Sequence, residues 1–268
     1  MVRINDKPVD ALPTVDGFQP NDQQKEIFRL MATSQEEYRF NTAQQLAFEL
    51  KVRDSVVNAA KALARSGLEF RVFRNSKANS QFWQRTGEGG FKLLNGVKPA
   101  DAIRDIYRNG RLYGTECSTA MAIVYYKAML DVFGDELFNQ LYPSIQLMNW
   151  QYLDRDLALV RLSKAPDLLP GDARYFKNPD VDPTHPEWQG ENAFYLGGGK
   201  YYGHGVGITT GDAIIRSLNG LRKPGATRTA YLTDTVTRQN YATLSRLASS
   251  YQRSGSLAMA LRMGELAV

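Results

Sequence analysis

The chain has 268 residues, of which 43% are hydrophobic and 23% are charged. This composition excludes the fibrous and disordered classes, and the length suits one large domain with a good core. The net charge of +5 is mild and the basic residues are scattered, so that no nucleic-acid partner is expected.

The sequence also argues against a membrane or secreted protein and against a protein held by disulfides or zinc. No apolar run approaches the roughly 18 residues of a membrane span, and the first residues lack the apolar stretch of a secretory signal, so we expect no membrane contact and synthesis in the cytosol. One cysteine allows no internal disulfide, and one cysteine with two histidines cannot build a Cys/His zinc site. No metal and no cofactor are expected.

The N-terminal third is predicted to be mainly helical. Residues 1–20 carry three prolines and no periodicity, which indicates an extended arm. A short amphipathic helix is predicted to open at Asp22. Thr42 with Gln45 forms a capping box for a longer helix, which Ser66 and the glycine after it end.

The middle of the chain changes period several times. Alternation around Phe70 predicts a strand, and two apolar runs on either side of a glycine-rich turn predict a hairpin over Gln81–Leu93. Pro99 and Asn109 bracket another helix. From Cys117 to Phe133 the sequence is apolar on nearly every face, which is typical of a buried helix.

The remainder is predicted to be mostly strands: Ile145–Trp150, Ala173–Lys177, Asn192–Leu196 and Tyr201–Ile208. Thr209 with Asp212 is expected to cap a short helix. Helices first and strands later, with no repeated βαβ unit, favour an α+β fold.

The domain prediction is a single catalytic domain over residues 1–268, with an N-terminal arm to about residue 20 and a C-terminal helical tail over about 241–268. Leu257, Leu261 and Met263 form the expected docking face of this tail.

The lone cysteine stands at a position suited to nucleophilic chemistry. Cys117 occupies the first turn of the predicted buried helix, directly after Gly114-Thr115-Glu116. A helix N-terminus stabilises a thiolate, and its free N–H groups can bind an oxyanion. From these residues alone, a packing cysteine remains an equal alternative.

The segment from Gly110 to Ala120, which contains Cys117, resembles the active-site segment of bacterial spore-coat protein-glutamine gamma-glutamyltransferases. Other segments resemble the same family in the same order: Phe48–Lys51, Ala102–Ile106, Tyr175–Pro179, Gly190–Asn192 and His204–Ile208. They lie within about Tyr38 to Tyr231, so that the arm and the tail fall outside the resemblance.

The resemblance implies a papain-like core, shared with cell-wall cysteine peptidases, in which a buried nucleophile helix lies beside an antiparallel sheet. It also implies calcium-independent transfer of a glutamine acyl group from a Cys117 thioester to lysine, with ammonia released. The implied partners are proteins that bear Gln and Lys, namely coat proteins, and the implied location is the spore coat.

The resemblance places Glu191 and Glu116 with Cys117 as catalytic residues, together with His204, and leaves open which of them takes the thiol proton. Burial should raise the Glu pKa and the helix N-terminus should lower the Cys pKa, which would ease that transfer. A hydrogen-bonded structural role is the alternative for His204. The other histidine, His185, is expected in an exposed loop.

Three aromatic residues, Phe70, Trp150 and Trp188, match positions that the resemblance places at the passage to the active site. A hydrophobic tunnel there would admit slim Gln and Lys side chains and exclude water, whereas ordinary core packing is the alternative.

Two rival functions remain. In a cysteine peptidase or amidase of the same fold, water would resolve the acyl-enzyme. In a non-catalytic basic coat protein, Cys117 would only pack. Asp180-Val181-Asp182 lacks the later ligands of a calcium loop, so no calcium site is expected.

Overall fold

The computed structural model describes residues 1–149, 152–164 and 167–251. Its helices are α1 (Asp22–Thr33), α2 (Ala43–Arg65), α3 (Pro99–Arg108), α4 (Cys117–Leu141) and α5 (Gly211–Asn219), and residues 241–251 are also helical. Within these residues, no helix is long and apolar enough to cross a lipid bilayer.

The strands are short in the first half of the chain and longer in the second. They are β1 (Val2–Ile4), β2 (Lys7–Val9), β3 (Tyr38–Phe40), β4 (Glu69–Phe70), β5 (Trp83–Arg85), β6 (Phe91–Leu93), β7 (Gly114–Thr115), β8 (Gln146–Leu147), β9 (Leu159–Leu162), β10 (Ala173–Lys177), β11 (Gly190–Gly197), β12 (Lys200–Gly203), β13 (Gly207–Thr210) and β14 (Tyr231–Gln239).

Helices α1, α2 and α3 begin where the sequence predicted. Asn21 precedes α1, and the Thr42 hydroxyl accepts the Gln45 N–H at 3.2 Å at the start of α2. Pro99 opens α3, where a missing N–H costs nothing. The predicted hairpin forms as β5 and β6.

Helix α4 forms the centre of the core. It packs on α2 and α3 and against β11, so that apolar residues are needed on nearly all of its sides. Gly134 has a φ of +75°, which interrupts the helix one residue after the predicted end at Phe133, and a second helical stretch then runs to Leu141. Helix α4 is therefore positioned by packing along its length.

A six-stranded antiparallel sheet covers α4, in the order β13-β12-β11-β10-β14-β9. Phe194 and Ala173 pair across two strands and face α4. Phe176 and Tyr201 face the other way and pack with Ile214 of α5. A mixed helix-and-sheet fold is thus confirmed.

Parts of the strand prediction are wrong in detail. Tyr201–Ile208 is two strands, β12 and β13, with a turn between them, and Thr210 rather than Thr209 caps α5. Strands β9 and β14 were not predicted. β14 alternates small polar residues with few apolar ones, so its pattern lacks the hydrophobic period that marks a half-buried strand.

The two ends of the chain pack more closely than an arm and a tail would. β1 pairs with β2 and β3, and Val2 is fully buried against Ile27 and Met31. At the other end, Leu244 of the helix over 241–251 lies in the main core. The expected docking face, Leu257, Leu261 and Met263, lies outside the described residues.

A buried ion cluster joins α2 to the sheet. The Arg53 guanidinium donates to Glu49 at 2.8 Å and to Asp172 at 3.0 Å, and it lies 4.6 Å from the centre of the Tyr241 ring. The second Asp172 oxygen accepts from Arg238 of β14 at 2.7 Å. Arg53 and Asp172 are both fully buried, so each needs the opposite charge of the other to offset the cost of leaving water.

We expect Asp172→Ala to lower the free energy of unfolding by about 3–5 kcal/mol, because it removes the buried counter-ion of Arg238 and one of the two carboxylates that pair with Arg53. Urea unfolding followed by circular dichroism measures this. The control is Asp101→Ala, which removes an exposed carboxylate from a weak surface pair, 3.9 Å from Arg104. Equal stability of the two variants would show that the cluster does not hold α2 against the sheet.

Candidate active site

Cys117 is the first residue of α4 and is half-buried. Its neighbour Glu116 is the N-cap, and within the described residues no side chain makes the usual capping hydrogen bond. The N–H groups of the first helical turn are therefore free to bind an anion. Cys117 lines a cavity of about 720 Å³. Asn192 of β11 donates a hydrogen bond to its sulfur at 3.4 Å.

Glu191, next to Asn192 on β11, is enclosed on several sides. Its side chain accepts the Gly205 N–H at 3.2 Å, and the residue is only 1% exposed. A Cβ on Gly203 would lie 2.7 Å from the Glu191 carboxylate, so that glycine is needed at that position. Burial, only partly opposed by backbone hydrogen bonds from Gly205 and His204, raises the pKa of Glu191 to about 8.

The pKa of Cys117 is raised, to about 12, although the helix N-terminus was expected to lower it. Burial is the largest cause, followed by the negative charge of Glu191, and the charge of Glu116 adds to it. Hydrogen bonds from Asn192 act in the opposite direction. Burial and the two nearby carboxylates therefore outweigh the hydrogen bonds from Asn192.

Glu116 lines the same cavity as Cys117, but its carboxylate has a second task. It accepts the Phe73 N–H at 3.1 Å and so holds the turn that follows β4. Burial raises its pKa above the ordinary range, and the charge of Glu187 adds to this shift. Two predicted carboxylates thus lie near the thiol.

Both ring nitrogens of His204 have partners other than the thiol. Nδ1 lies 3.1 Å from the Tyr202 hydroxyl, and Nε2 lies 3.1 Å from the Glu69 carbonyl oxygen. Burial lowers the pKa of His204 to about 4, so that the ring is neutral at neutral pH. The other histidine, His185, is exposed, as expected.

Two of the three predicted tunnel residues come together beside this histidine. The Phe70 ring lies 5.1 Å from that of Trp188 and 6.0 Å from that of His204, centre to centre. A Cβ on Gly205 would meet the Trp188 ring at 2.8 Å and the Glu191 carboxylate at 3.2 Å. These aromatic rings therefore adjoin the Glu191 pocket. The third residue, Trp150, lies outside the described residues.

Sequence reasoning missed two residues of the site. Asn192 contacts the sulfur directly, and Tyr175 lines the cavity, with a pKa raised by burial and then by the charges of Cys117 and Glu191. Both lie within segments that carried the family resemblance. A signal existed for each, but a neutral amide and a phenol do not stand out as acid–base groups.

Both carboxylates of the acidic pair around Val181 already bind other residues of the protein. Asp180 pairs with the Arg228 guanidinium, which lowers the pKa of that carboxyl to about 2, and Asp182 accepts from Thr184. Within the described ranges, no group of three or more Asp, Glu, His or Cys side chains is arranged to hold a metal ion.

The profile of the family described as protein-glutamine gamma-glutamyltransferase matches residues 1–248. The chain belongs to this family. Its predicted function as a cross-linking transglutaminase and its predicted class, an acyltransferase, are thereby confirmed. The match begins at residue 1 and reaches residue 248, so the arm and the first part of the tail lie inside the family, contrary to expectation.

Individual relatives agree with this assignment. Enzymes named protein-glutamine gamma-glutamyltransferase from Bacillus mycoides and Bacillus cereus are each 48% identical over 85% of this chain, covering 81% and 82% of their own lengths. The solved structure of a transglutaminase from Geobacillus stearothermophilus, without its C-terminal extension, is 49% identical with a TM-score of 0.73, covering 77% of this chain and 98% of its own.

Alkylation tests the electrostatics of the thiol, because Cys117 is the only cysteine in the chain. We expect slow reaction with iodoacetamide at neutral pH and about a tenfold gain per unit from about pH 7 to pH 10, as the thiolate forms. Glu191→Gln should react several-fold faster near pH 9, since a charge that raises the Cys117 pKa is gone. Asn192→Ala should react more slowly.

Mass spectrometry of the singly alkylated protein measures each rate. A fast native reaction that does not depend on pH in this range would mean that the thiolate is already formed.

Proposed function

We propose that Cys117 is the nucleophile of a two-step acyl transfer and that Glu191 moves the protons. The observation that carries this proposal is the joint placement of a half-buried thiol at a helix N-terminus and a buried carboxyl with a pKa near 8. An acid–base group works best when its pKa lies near the working pH.

In the first step, the Cys117 sulfur attacks the carboxamide carbon of a substrate glutamine. The thiol proton passes to the ionised Glu191 as the S–C bond forms. The oxyanion that develops is bound by the free N–H groups of the first α4 turn. The C–N bond then breaks, Glu191 returns the proton to the leaving nitrogen, and ammonia departs from a thioester.

In the second step, a neutral lysine amine attacks the thioester carbon. Glu191 takes one proton from the attacking nitrogen, the C–S bond breaks, and the same proton restores the thiol. An isopeptide bond joins the two proteins, and the enzyme returns to its starting protonation state. One carboxyl therefore serves both steps, as microscopic reversibility requires of a ping-pong scheme.

Glu191 fits the proton-transfer role better than the other two candidates. Glu116 uses its carboxylate to accept the Phe73 N–H, and it ranks below Glu191 among the charges that act on the thiol. His204 is neutral and both of its nitrogens have partners. We infer that Glu116 tunes the thiol and that His204 is a positioning residue for the β12–β13 turn.

We also propose the finer features that the family resemblance implies: a papain-like core, work without calcium, and coat proteins as substrates within the spore coat. A nucleophile helix packed on an antiparallel sheet supports the first. The engagement of Asp180 by Arg228 supports the second. Co-fractionation of the enzyme with extracted coat protein tests the location.

The pH dependence of acylation tests the role of Glu191. We expect kcat/KM for a glutamine peptide, with a labelled amine as acceptor, to rise about tenfold per unit up to about pH 8 and then level off, because only the ionised carboxyl accepts the thiol proton. Glu191→Gln should lower kcat/KM by about 100-fold or more and abolish this limb.

Since kcat/KM for the first substrate of a ping-pong reaction covers acylation alone, protonation of the amine does not distort the profile. A flat native profile, or an unchanged rate in Glu191→Gln, would remove Glu191 from the mechanism. The same assay with a calcium chelator should give the same rate.

Replacement of a tunnel aromatic tests water exclusion. We expect Trp188→Ala to release ammonia without a matching amount of amine incorporated, because water then reaches the thioester. The ratio of ammonia to incorporated label should rise several-fold. Leu112→Ala, at a residue 51% exposed and outside this cluster, is the control and should keep the native ratio. A native ratio in both variants would contradict the tunnel.

A further inference from the structure

The cavity beside Cys117 extends well past the sulfur, across the side of the sheet that faces α4. Cross-strand pairs place Arg161, Thr237 and Ala173 in one row on that side, because paired residues of neighbouring strands share a face. The cavity floor is built from alternate residues of three strands: Ala173 and Tyr175, Thr235 and Thr237, Leu159 and Arg161. We call this floor and its walls the groove.

The length of the groove follows from the register. Three strand spacings separate β11, where Asn192 contacts the sulfur, from β9 at the edge, which is roughly 14 Å. Arg161 lies level with Phe194, two residues along from Asn192, which adds roughly 7 Å along the strands and gives roughly 16 Å in all. An extended peptide spans this distance with about five residues.

The two ends of the groove carry opposite charges. Glu116 and Glu187 line it beside Cys117, whereas Arg155 and Arg161 line it near the β9 edge. Both arginines are exposed, and within the described part of the chain neither forms an ion pair.

The remaining charged residues of the groove have partners. Asp154 accepts from the Tyr126 hydroxyl at 2.6 Å. Arg174 alternates with Ala173 and so points to the other face of the sheet, where it donates to the Thr233 carbonyl at 2.7 Å. At the β9 edge of the groove, the guanidinium groups of Arg155 and Arg161 can therefore pair with an acidic group of a ligand.

We propose that Arg155 and Arg161 select glutamine-bearing substrate segments that carry an aspartate or glutamate about five residues from the reactive glutamine. This inference rests on the proposed function of Cys117. Glutamine is neutral and can enter beside Glu116 and Glu187 without repulsion. An acidic residue at the far end pairs with the two arginines, and a basic residue there is repelled.

The test compares peptides with one glutamine in a Gly/Ala/Ser background and a labelled primary amine as acceptor. Aspartate, arginine or serine is placed five residues before or after the glutamine; lysine is avoided because it is itself an acceptor. We expect the aspartate peptide, on at least one side, to have a KM about three- to tenfold below that of the serine peptide, with kcat little changed.

Substitutions assign this preference to the two arginines. R155Q/R161Q should abolish it by raising the KM of the aspartate peptide to that of the serine peptide, because the guanidinium groups that pair with the aspartate are gone. The matched control is R216Q on α5, an exposed arginine on the opposite side of the sheet, which should keep the preference. Raising the salt concentration should shrink it.

Binding of the labelled peptides to Cys117→Ala, followed by fluorescence anisotropy, measures recognition by the groove independently of acyl transfer. Tighter binding of the aspartate peptide, lost in R155Q/R161Q, supports the proposal even if turnover is absent. Equal binding of the three peptides, or a preference that survives in R155Q/R161Q, overturns it. Failure of native enzyme to label any peptide contradicts the proposed chemistry instead.

Discussion

The burial of the Glu191 carboxyl is the constraint on which the rest of the active site depends. A Cβ at Gly203 would collide with its carboxylate at 2.7 Å, and a Cβ at Gly205 would collide with the Trp188 ring at 2.8 Å and lie 3.2 Å from the carboxylate. Within the described residues its hydrogen bonds come from backbone N–H groups, and no cation is found among the causes of its pKa shift. A carboxyl held in this way ionises late and is useful as a proton carrier near neutral pH.

The enclosure of the Glu191 carboxyl accounts for the nearby glycines, the aromatic rings and the neutral histidine. Gly205 lies between Trp188 and Glu191, so the ring that would shield a thioester also forms a wall of the carboxyl pocket. His204 is buried in the same turn and holds Tyr202 and the β4 backbone together through its two nitrogens. A charged imidazole there would lose its hydration, which is why burial lowers the pKa of His204.

The sequence alone predicted much of the helical part of the fold, because caps and breakers act locally. Pro99, Thr42 and Ser66 with the glycine after it mark helix ends through backbone chemistry that needs no tertiary context. Two strands of the large sheet, β14 and the edge strand β9, were missed. β14 has a polar pattern, and pairing with β10 and β9, not local preference, makes it a strand. The raised pKa of Cys117 was not predicted either, because it depends on how deeply the packed molecule covers the thiol.

The raised pKa values of the thiol and the carboxyl are compatible with catalysis because a proton exchanged between them does not change the net charge of the pair. Burial penalises a thiolate and a carboxylate alike, so it raises both values and leaves their difference almost as it was. The pKa values of about 12 and about 8 differ by about 4, and the ordinary values of 9.0 and 4.5 differ by about as much. Only a group that stabilises one member of the pair more than the other can narrow this difference. The hydrogen bond from Asn192 to the sulfur and the N-terminus of α4 both stabilise the thiolate, and both are in place before any substrate enters.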